Sequence, residues 1–151
     1  MSRCSFGVSW LVLLCAFVQP AVAQDVLPVD PGALAERCIA RITRIAEESA
    51  EYNRTTAARC VRHIHALLEA GEVERARRVA RHCIRLINHH SGRAATAIRH
   101  TCRRCVRALH ELGADDLAAR VAEVCERAIA RVRGSQQAAV AAIEGAFPSS
   151  P

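Results

Sequence analysis

One pair of cysteines brackets a glycine almost symmetrically, and this placement constrains the fold more than any other feature. Cys60 lies eleven residues before Gly71, and Cys83 lies twelve residues after it. If the segment folds as two antiparallel helices joined by a tight turn at the glycine, both cysteines reach the same level of the hairpin. Helix axes packed ~8–10 Å apart bring the two Cα atoms to roughly the separation that a disulfide needs.

The same arrangement occurs a second time, where Cys102 and Cys125 bracket Gly113. Residues 60–87 align with residues 102–129 without a gap, so the chain contains an internal repeat with an offset of 42 residues. We therefore predict one disulfide within each hairpin. Each bond would close a loop worth about 3 kcal/mol of stability in the chain-entropy model.

The repeat leaves two cysteines without a partner in a hairpin. We expect these two, Cys38 and Cys105, to pair with each other. A competing pairing joins Cys83 to Cys102 around a turn at Ser91 and Gly92, and its geometry is also compatible with antiparallel helices. Both pairings remain open at the level of sequence.

Apolar residues recur at helical spacing along the chain, and no segment alternates as a strand does. The pattern predicts an all-α fold of five to six helices, arranged as antiparallel helix-turn-helix hairpins in a disulfide-stapled bundle or a short solenoid. Asp30 is a predicted N-cap, with Pro31 at the first helical position. Beyond the two glycine turns, breaks are predicted at residues 53–56, at residues 90–92, and at Gly134 with Ser135.

The first 23 residues have the pattern of a secretory signal peptide. Arg3 precedes an uncharged apolar run at residues 6–18, which is shorter than the ~20 residues of a membrane span. Ala21-Val22-Ala23 is typical of a cleavage site, so we place the cut between Ala23 and Gln24 and expect a secreted or periplasmic protein without a membrane span in its mature chain. The predicted organisation is a signal peptide (1–23), an extended lead (24–32), a helical-hairpin domain (33–134) and a short Ala-rich helix with a tail (135–151).

Six cysteines remain after this cleavage, and an even set in an exported chain is typical of disulfides. The motif Cys102-Arg103-Arg104-Cys105 supports an alternative function, a thiol or histidine protein that handles metal or redox chemistry, because arginines stabilise a thiolate. However, reactive pairs of this kind usually open a helix after a strand, whereas this motif lies within a predicted helix. The histidines match no known ligand spacing, so we expect neither a metal site nor a cofactor.

Positive charge is concentrated in the middle of the chain. Residues 54–107 hold thirteen arginines and three acidic residues, a net charge of +10, whereas residues 24–53 and 108–151 carry net charges of −3 and −2. Six of the seven histidines also lie in the middle segment. This segment therefore becomes more positive below about pH 6.5, where histidine takes up a proton.

Some of these basic residues fall on one line at helical spacing. The line predicts an anion-binding face on two successive helices, formed by Arg78, His82, Arg85 and His89 and then by His100, Arg104 and Arg107. Guanidinium groups form paired hydrogen bonds with carboxylate and phosphate oxygens, so an acidic protein or a polyanion would be the partner. A face that only keeps the protein soluble explains the same pattern.

Two further features narrow the function. The mature chain keeps only Tyr52 and Phe147 as aromatic residues, which disfavours nucleic acid, because single strands are bound by stacking on aromatic rings. No catalytic motif is recognisable, so we do not expect an enzyme.

Asn53-Arg54-Thr55 fits a glycosylation acceptor. The function we expect is an exported structural or interaction module that presents a basic, histidine-containing helical face.

Overall fold

The computed structural model describes residues 30–147, which form three long helices. These are α1 (Pro31–Glu69), α2 (Val73–Glu111) and α3 (Asp115–Glu144), and each packs against the other two. The chain is therefore a closed up-down-up bundle rather than a solenoid, and the predicted all-α fold is confirmed. Within the described range, none of the helices combines the length and the apolar character needed to cross a membrane. The predicted signal peptide and its cleavage site lie outside this range.

The start of α1 follows the predicted cap. The Asp30 carboxylate accepts hydrogen bonds from the backbone N–H groups of Gly32 (2.9 Å) and Ala33 (3.2 Å), and Pro31 opens the helix. These bonds satisfy two N–H groups that have no partner within the helix, which fixes the first turn.

The two glycine turns share one backbone geometry. Gly71 and Gly113 have φ angles of +75° and +68°, in the left-handed region that favours glycine. In each turn the glycine N–H donates to a carbonyl of the last helical turn, that of Leu68 at 3.0 Å and that of His110 at 2.9 Å. These bonds close the helix ends as a Schellman motif does. The predicted helix ends at both glycines are confirmed.

The predicted number of five to six helices is wrong, because the described part of the chain contains three. Residues 53–56 lie inside α1, residues 90–92 inside α2, and Gly134 with Ser135 inside α3. The predicted boundary at residue 135, between a main domain and a separate Ala-rich helix, therefore falls in the middle of a continuous helix.

The polar residues that suggested these breaks instead meet at the centre of the bundle. The Asn53 amide donates to the hydroxyl oxygens of Ser91 and Ser135, each at 3.0 Å, and the Ser91 hydroxyl donates to Asn53 Oδ1 at 3.2 Å. Asn53 is 0% exposed and Ser91 is 1% exposed. Buried polar groups are tolerated when they are hydrogen-bonded, so this central polar layer (Asn53, Ser91, Ser135) lets all three helices continue.

The burial of Asn53 also bears on the glycosylation motif. Its amide lies inside the bundle and donates to two hydroxyls, so the folded protein offers no room for a glycan there. The Asn53 amide is therefore not accessible as a glycan acceptor in the folded protein.

Aliphatic residues, many of them alanines, fill the core on either side of the central polar layer. The cluster near the α2–α3 turn and the start of α1 contains Ile42, Ile98, Leu109, Val121 and Val132 among many alanines. The cluster near the α1–α2 turn is built around Ile64, Ile87 and Ile143. A core poor in large side chains buries little area per residue, which makes covalent cross-links valuable here.

Three disulfides cross-link the bundle in the predicted pairing. The bonded pairs are Cys60–Cys83, Cys102–Cys125 and Cys38–Cys105, with Cα separations of 6.4, 6.2 and 6.2 Å. The competing bond between Cys83 and Cys102 is incompatible with the fold. Both residues lie on α2 and are separated along its axis by about 28 Å at 1.5 Å per residue. Disulfides of this number are typical of proteins from oxidising compartments.

Candidate functional site

Helix α2 carries an unusual concentration of positive charge. Residues 75–110 hold ten arginines and five histidines but no acidic residue. In the part of the chain that the structure describes, the ion pairs of α2 involve only Arg75, Arg77 and His110, all near its ends. The arginines between them therefore keep their charge uncompensated by a neighbouring carboxylate, and the helix creates a strongly positive field along its length.

The structure places all seven predicted anion-binding residues on one continuous helix. Each is exposed, on the side of α2 that faces away from the bundle core: Arg78, His82, Arg85, His89, His100, Arg104 and Arg107. The two predicted lines are thus one line, about 44 Å long at 1.5 Å per residue. We refer to this set, together with Arg93, as the α2 basic face.

Sequence reasoning missed Arg93. This residue is exposed and follows His89 by four residues, so it continues the same line along α2. The break predicted at residues 90–92 separates Arg93 from the residues of the line that precede it. The helical spacing itself continues through this segment, and that signal could have identified Arg93.

A cleft of about 280 Å³ lies beside this face, between the first part of α1 and the last part of α2. Arg37 and Arg41 line it from α1, and His100 and Arg104 line it from α2. The disulfide that joins these two helices, Cys38–Cys105, also lines the cleft. The packing of α1 against α2 therefore adds two arginines to the predicted set, and no periodicity within α2 could have revealed them.

His90 differs from the exposed histidines of α2. Its ring is half-buried and stacks on Tyr52 of α1, with centroids 3.9 Å apart and an interplanar angle of 23°. Burial lowers the pKa of His90, and the positive charges of Arg93 and His89 lower this pKa further. His90 therefore stays neutral to a lower pH than an ordinary histidine and adds little to the positive charge of α2.

Among the described residues, no side chains are assembled into a site that would support the alternative function in metal or redox chemistry. Among residues 30–147, no group of three histidine, cysteine or acidic side chains is placed to hold a metal ion. The two cysteines of the Cys102-x-x-Cys105 motif are bonded to different helices, Cys102 to Cys125 on α3 and Cys105 to Cys38 on α1. The motif thus cross-links the bundle in this structure.

Comparison with protein-family models, with curated proteins and with solved structures finds no significant match to this chain. What α2 can do chemically therefore follows from its own residues. Guanidinium groups bind carboxylate, sulfate and phosphate oxygens through paired, charge-assisted hydrogen bonds. A row of such groups on a fixed helix can engage several anionic groups at once.

Proposed function

We propose that this protein is an exported interaction module that binds a polyanion along the α2 basic face. The observation that carries the proposal is the acid-free run at residues 75–110, which places ten arginines on a single continuous helix. A surface that only keeps a protein soluble usually mixes both signs of charge. This helix segregates one sign along most of its length, which favours an extended anionic partner.

The disulfides support the proposal because every one of them includes a cysteine of α2. Cys83 and Cys105 are bonded to α1, and Cys102 is bonded to α3. The helix that carries the charge is therefore held by three bonds at two levels, one at Cys83 and one at the turn that contains Cys102 and Cys105, before any partner arrives. Binding to a preorganised surface loses less conformational entropy than binding to a flexible basic segment, so more of the interaction energy appears as affinity.

The mutual repulsion of the arginines on α2 also supports the binding of a polyanion. Like charges on one helix destabilise it, by amounts that depend on their spacing and on salt. The disulfides keep α2 in place despite this repulsion, and a bound polyanion would reduce the repulsion. The location of these bonds on α2 is thus consistent with a helix that is charged for binding rather than for its own stability.

Retention of the disulfide-bonded protein on immobilised dextran sulfate tests the proposal. Arg78→Glu combined with Arg85→Glu changes the α2 basic face, whereas Arg120→Glu combined with Arg127→Glu changes α3 by the same net charge. Both control arginines are exposed. We expect the α2 variant to elute at a clearly lower salt concentration than the α3 variant. Equal shifts for the two variants would show that only net charge matters and would contradict the proposal.

The exposed histidines of the face provide a second readout. Histidine changes its charge between pH 5 and pH 8 in general, so retention should increase as the pH falls from about 7.5 to 5.5. Replacing His82, His89 and His100 by glutamine should remove most of that increase. A wild-type protein whose retention does not change with pH would remove the histidines from the binding face.

A further inference from the structure

We propose that the cleft between α1 and α2 at the Cys38–Cys105 bond is a discrete site for one tetrahedral oxyanion, a sulfate or phosphate ester group. The inference rests on the proposed function, because such a group would be one charged unit of the bound polyanion. It goes further in assigning a particular place, a particular chemistry and a role to two arginines of α1.

Basic side chains converge on this cleft from two helices. Arg37 and Arg41 are four residues apart on α1, and His100 and Arg104 are four residues apart on α2, so each pair lies on one side of its helix. A volume of about 280 Å³ has room for a tetrahedral oxyanion and several water molecules, since one water occupies about 30 Å³ in the liquid. The hydroxyl of Thr101, which also lines the cleft, adds a hydrogen-bond donor.

These basic side chains lack an anionic partner. None of the four takes part in an ion pair within residues 30–147, and no acidic residue lines the cleft. The guanidinium groups of Arg37 and Arg41 thus face that of Arg104 across the α1–α2 interface, where like charges repel. The Cys38–Cys105 bond joins the two helices at this level and keeps the opposed cations close. A bound oxyanion would turn that repulsion into several charge-assisted hydrogen bonds.

The neighbouring grooves differ in charge. Further along the α1–α2 groove, the cavity beside Tyr52 and His90 is also lined by the acidic Glu48. The groove between α1 and α3 is lined mostly by alanines, with Arg54 as its one charged lining residue. A lining that takes basic side chains from two helices and includes no acidic residue is therefore a property of the proposed site rather than of every groove in the bundle.

Titration of the full disulfide-bonded chain with two probes tests the site. Glycerol phosphate represents a phosphate ester and a sulfated disaccharide represents a sulfate ester, and binding is followed by calorimetry and by backbone amide chemical shifts. We expect saturable binding of at least one probe, with shift changes concentrated at residues 37–41 and 100–105. Saturation by either probe supports the site, and the tighter probe identifies the source of the oxyanion.

A matched pair of variants separates the cleft from general charge. Arg37→Gln with Arg41→Gln removes two cleft arginines without touching α2, whereas Arg59→Gln with Arg62→Gln removes two exposed arginines elsewhere on α1. We expect the first variant to lose about ten-fold or more in probe affinity, because it loses charge-assisted hydrogen bonds. The second should stay within about two-fold, since Arg59 and Arg62 do not line the cleft and act on the ligand only at long range.

The outcomes for the cleft and for the proposed function are distinguishable. Non-saturable binding, or shift changes spread evenly along α2, would overturn the cleft even if dextran sulfate is retained. Equal losses of probe affinity in the two variants would overturn it as well. Saturable probe binding that depends on Arg37 and Arg41, in a protein that dextran sulfate does not retain, would support the cleft and refute the polyanion proposal.

Discussion

Replacing Ser91 by alanine should destabilise the bundle through the central polar layer. The Ser91 hydroxyl donates to Asn53 Oδ1 and also accepts from the Asn53 amide, at 3.2 and 3.0 Å. Without it, the Asn53 amide keeps only Ser135 as a partner, and Asn53 Oδ1 loses its donor. Because Asn53 is 0% exposed, bulk water does not reach the orphaned oxygen.

The size of the effect follows from this geometry. A buried acceptor left without a donor costs about 1–3 kcal/mol in the free energy of unfolding. For a domain of this size, about 1 kcal/mol corresponds to roughly 4 °C in the melting temperature. We therefore expect Ser91→Ala to lower the melting temperature by about 4–12 °C.

Ser49 provides a matched control. It lies one helical turn before Asn53, is 1% exposed, and its hydroxyl finds no hydrogen-bond partner in the structure. Ser49→Ala removes a buried polar group that is already unsatisfied, so it should leave the stability unchanged or raise it by up to about 1 kcal/mol.

Urea unfolding of the oxidised protein, followed by circular dichroism at 222 nm (a wavelength that reports helix content), measures both variants under the same conditions. Ser91→Ala should lower the free energy of unfolding, whereas Ser49→Ala, a change of equal size at a similarly buried position, should not lower it. A Ser91→Ala protein as stable as the wild type, or a Ser49→Ala protein that loses as much stability as Ser91→Ala, would refute the hydrogen-bonded layer.

Three further predictions concern stability. Replacing Cys60 and Cys83 by serine should cost about 3 kcal/mol, because it opens a loop of 24 residues in the unfolded chain. Gly71→Ala should cost about 1–2 kcal/mol because its φ is +75°, whereas Gly92→Ala, inside α2 with open space around its Cβ, should gain about 0.5–1 kcal/mol. The folded state lowers the pKa of His90, so the unfolded chain binds that proton more readily and stability is lost as the pH falls below the ordinary histidine value. His90→Gln should therefore reduce the loss of melting temperature between about pH 7.5 and pH 5.5.

Each of these predictions has a contradicting result. An unchanged unfolding midpoint for the variant with serine at positions 60 and 83 would show that the Cys60–Cys83 bond does not contribute to stability. Changes of the same sign in the two glycine variants would contradict the backbone assignments. A pH profile of His90→Gln that matches the wild type would show that other groups set the acid sensitivity.

The two hairpin disulfides and the glycine turns could be predicted because each depends only on how far two cysteines lie from one glycine. The Cys38–Cys105 bond follows only by elimination, as the pair that the repeat leaves over. Cysteines at equal distances from a glycine meet in an antiparallel hairpin, whatever the rest of the chain does. The number of helices could not be predicted in this way. The partners of Asn53 are 38 and 82 residues away in sequence, so nothing near Asn53 shows that its polar side chain is satisfied inside a helix.

Some residues of the candidate site could likewise be predicted from the sequence, and others could not. The residues of α2 follow a spacing of three and four that is visible in the sequence, and only the mistaken break concealed Arg93. Arg37 and Arg41 line the cleft because α1 packs against the far end of α2. This contact belongs to the tertiary structure and is not visible in the sequence. The stacking of His90 on Tyr52 also depends on that packing, and it separates one histidine from the others.

The most direct test of the central claim is the salt dependence of dextran sulfate binding. The logarithm of the association constant falls linearly with the logarithm of salt concentration when arginines displace condensed counter-ions. We expect a steep slope for the wild type, and a slope smaller by about two for Arg78→Gln combined with Arg85→Gln. A binding constant that does not vary with salt, or a double variant that keeps the wild-type slope, would contradict polyanion binding on the α2 basic face.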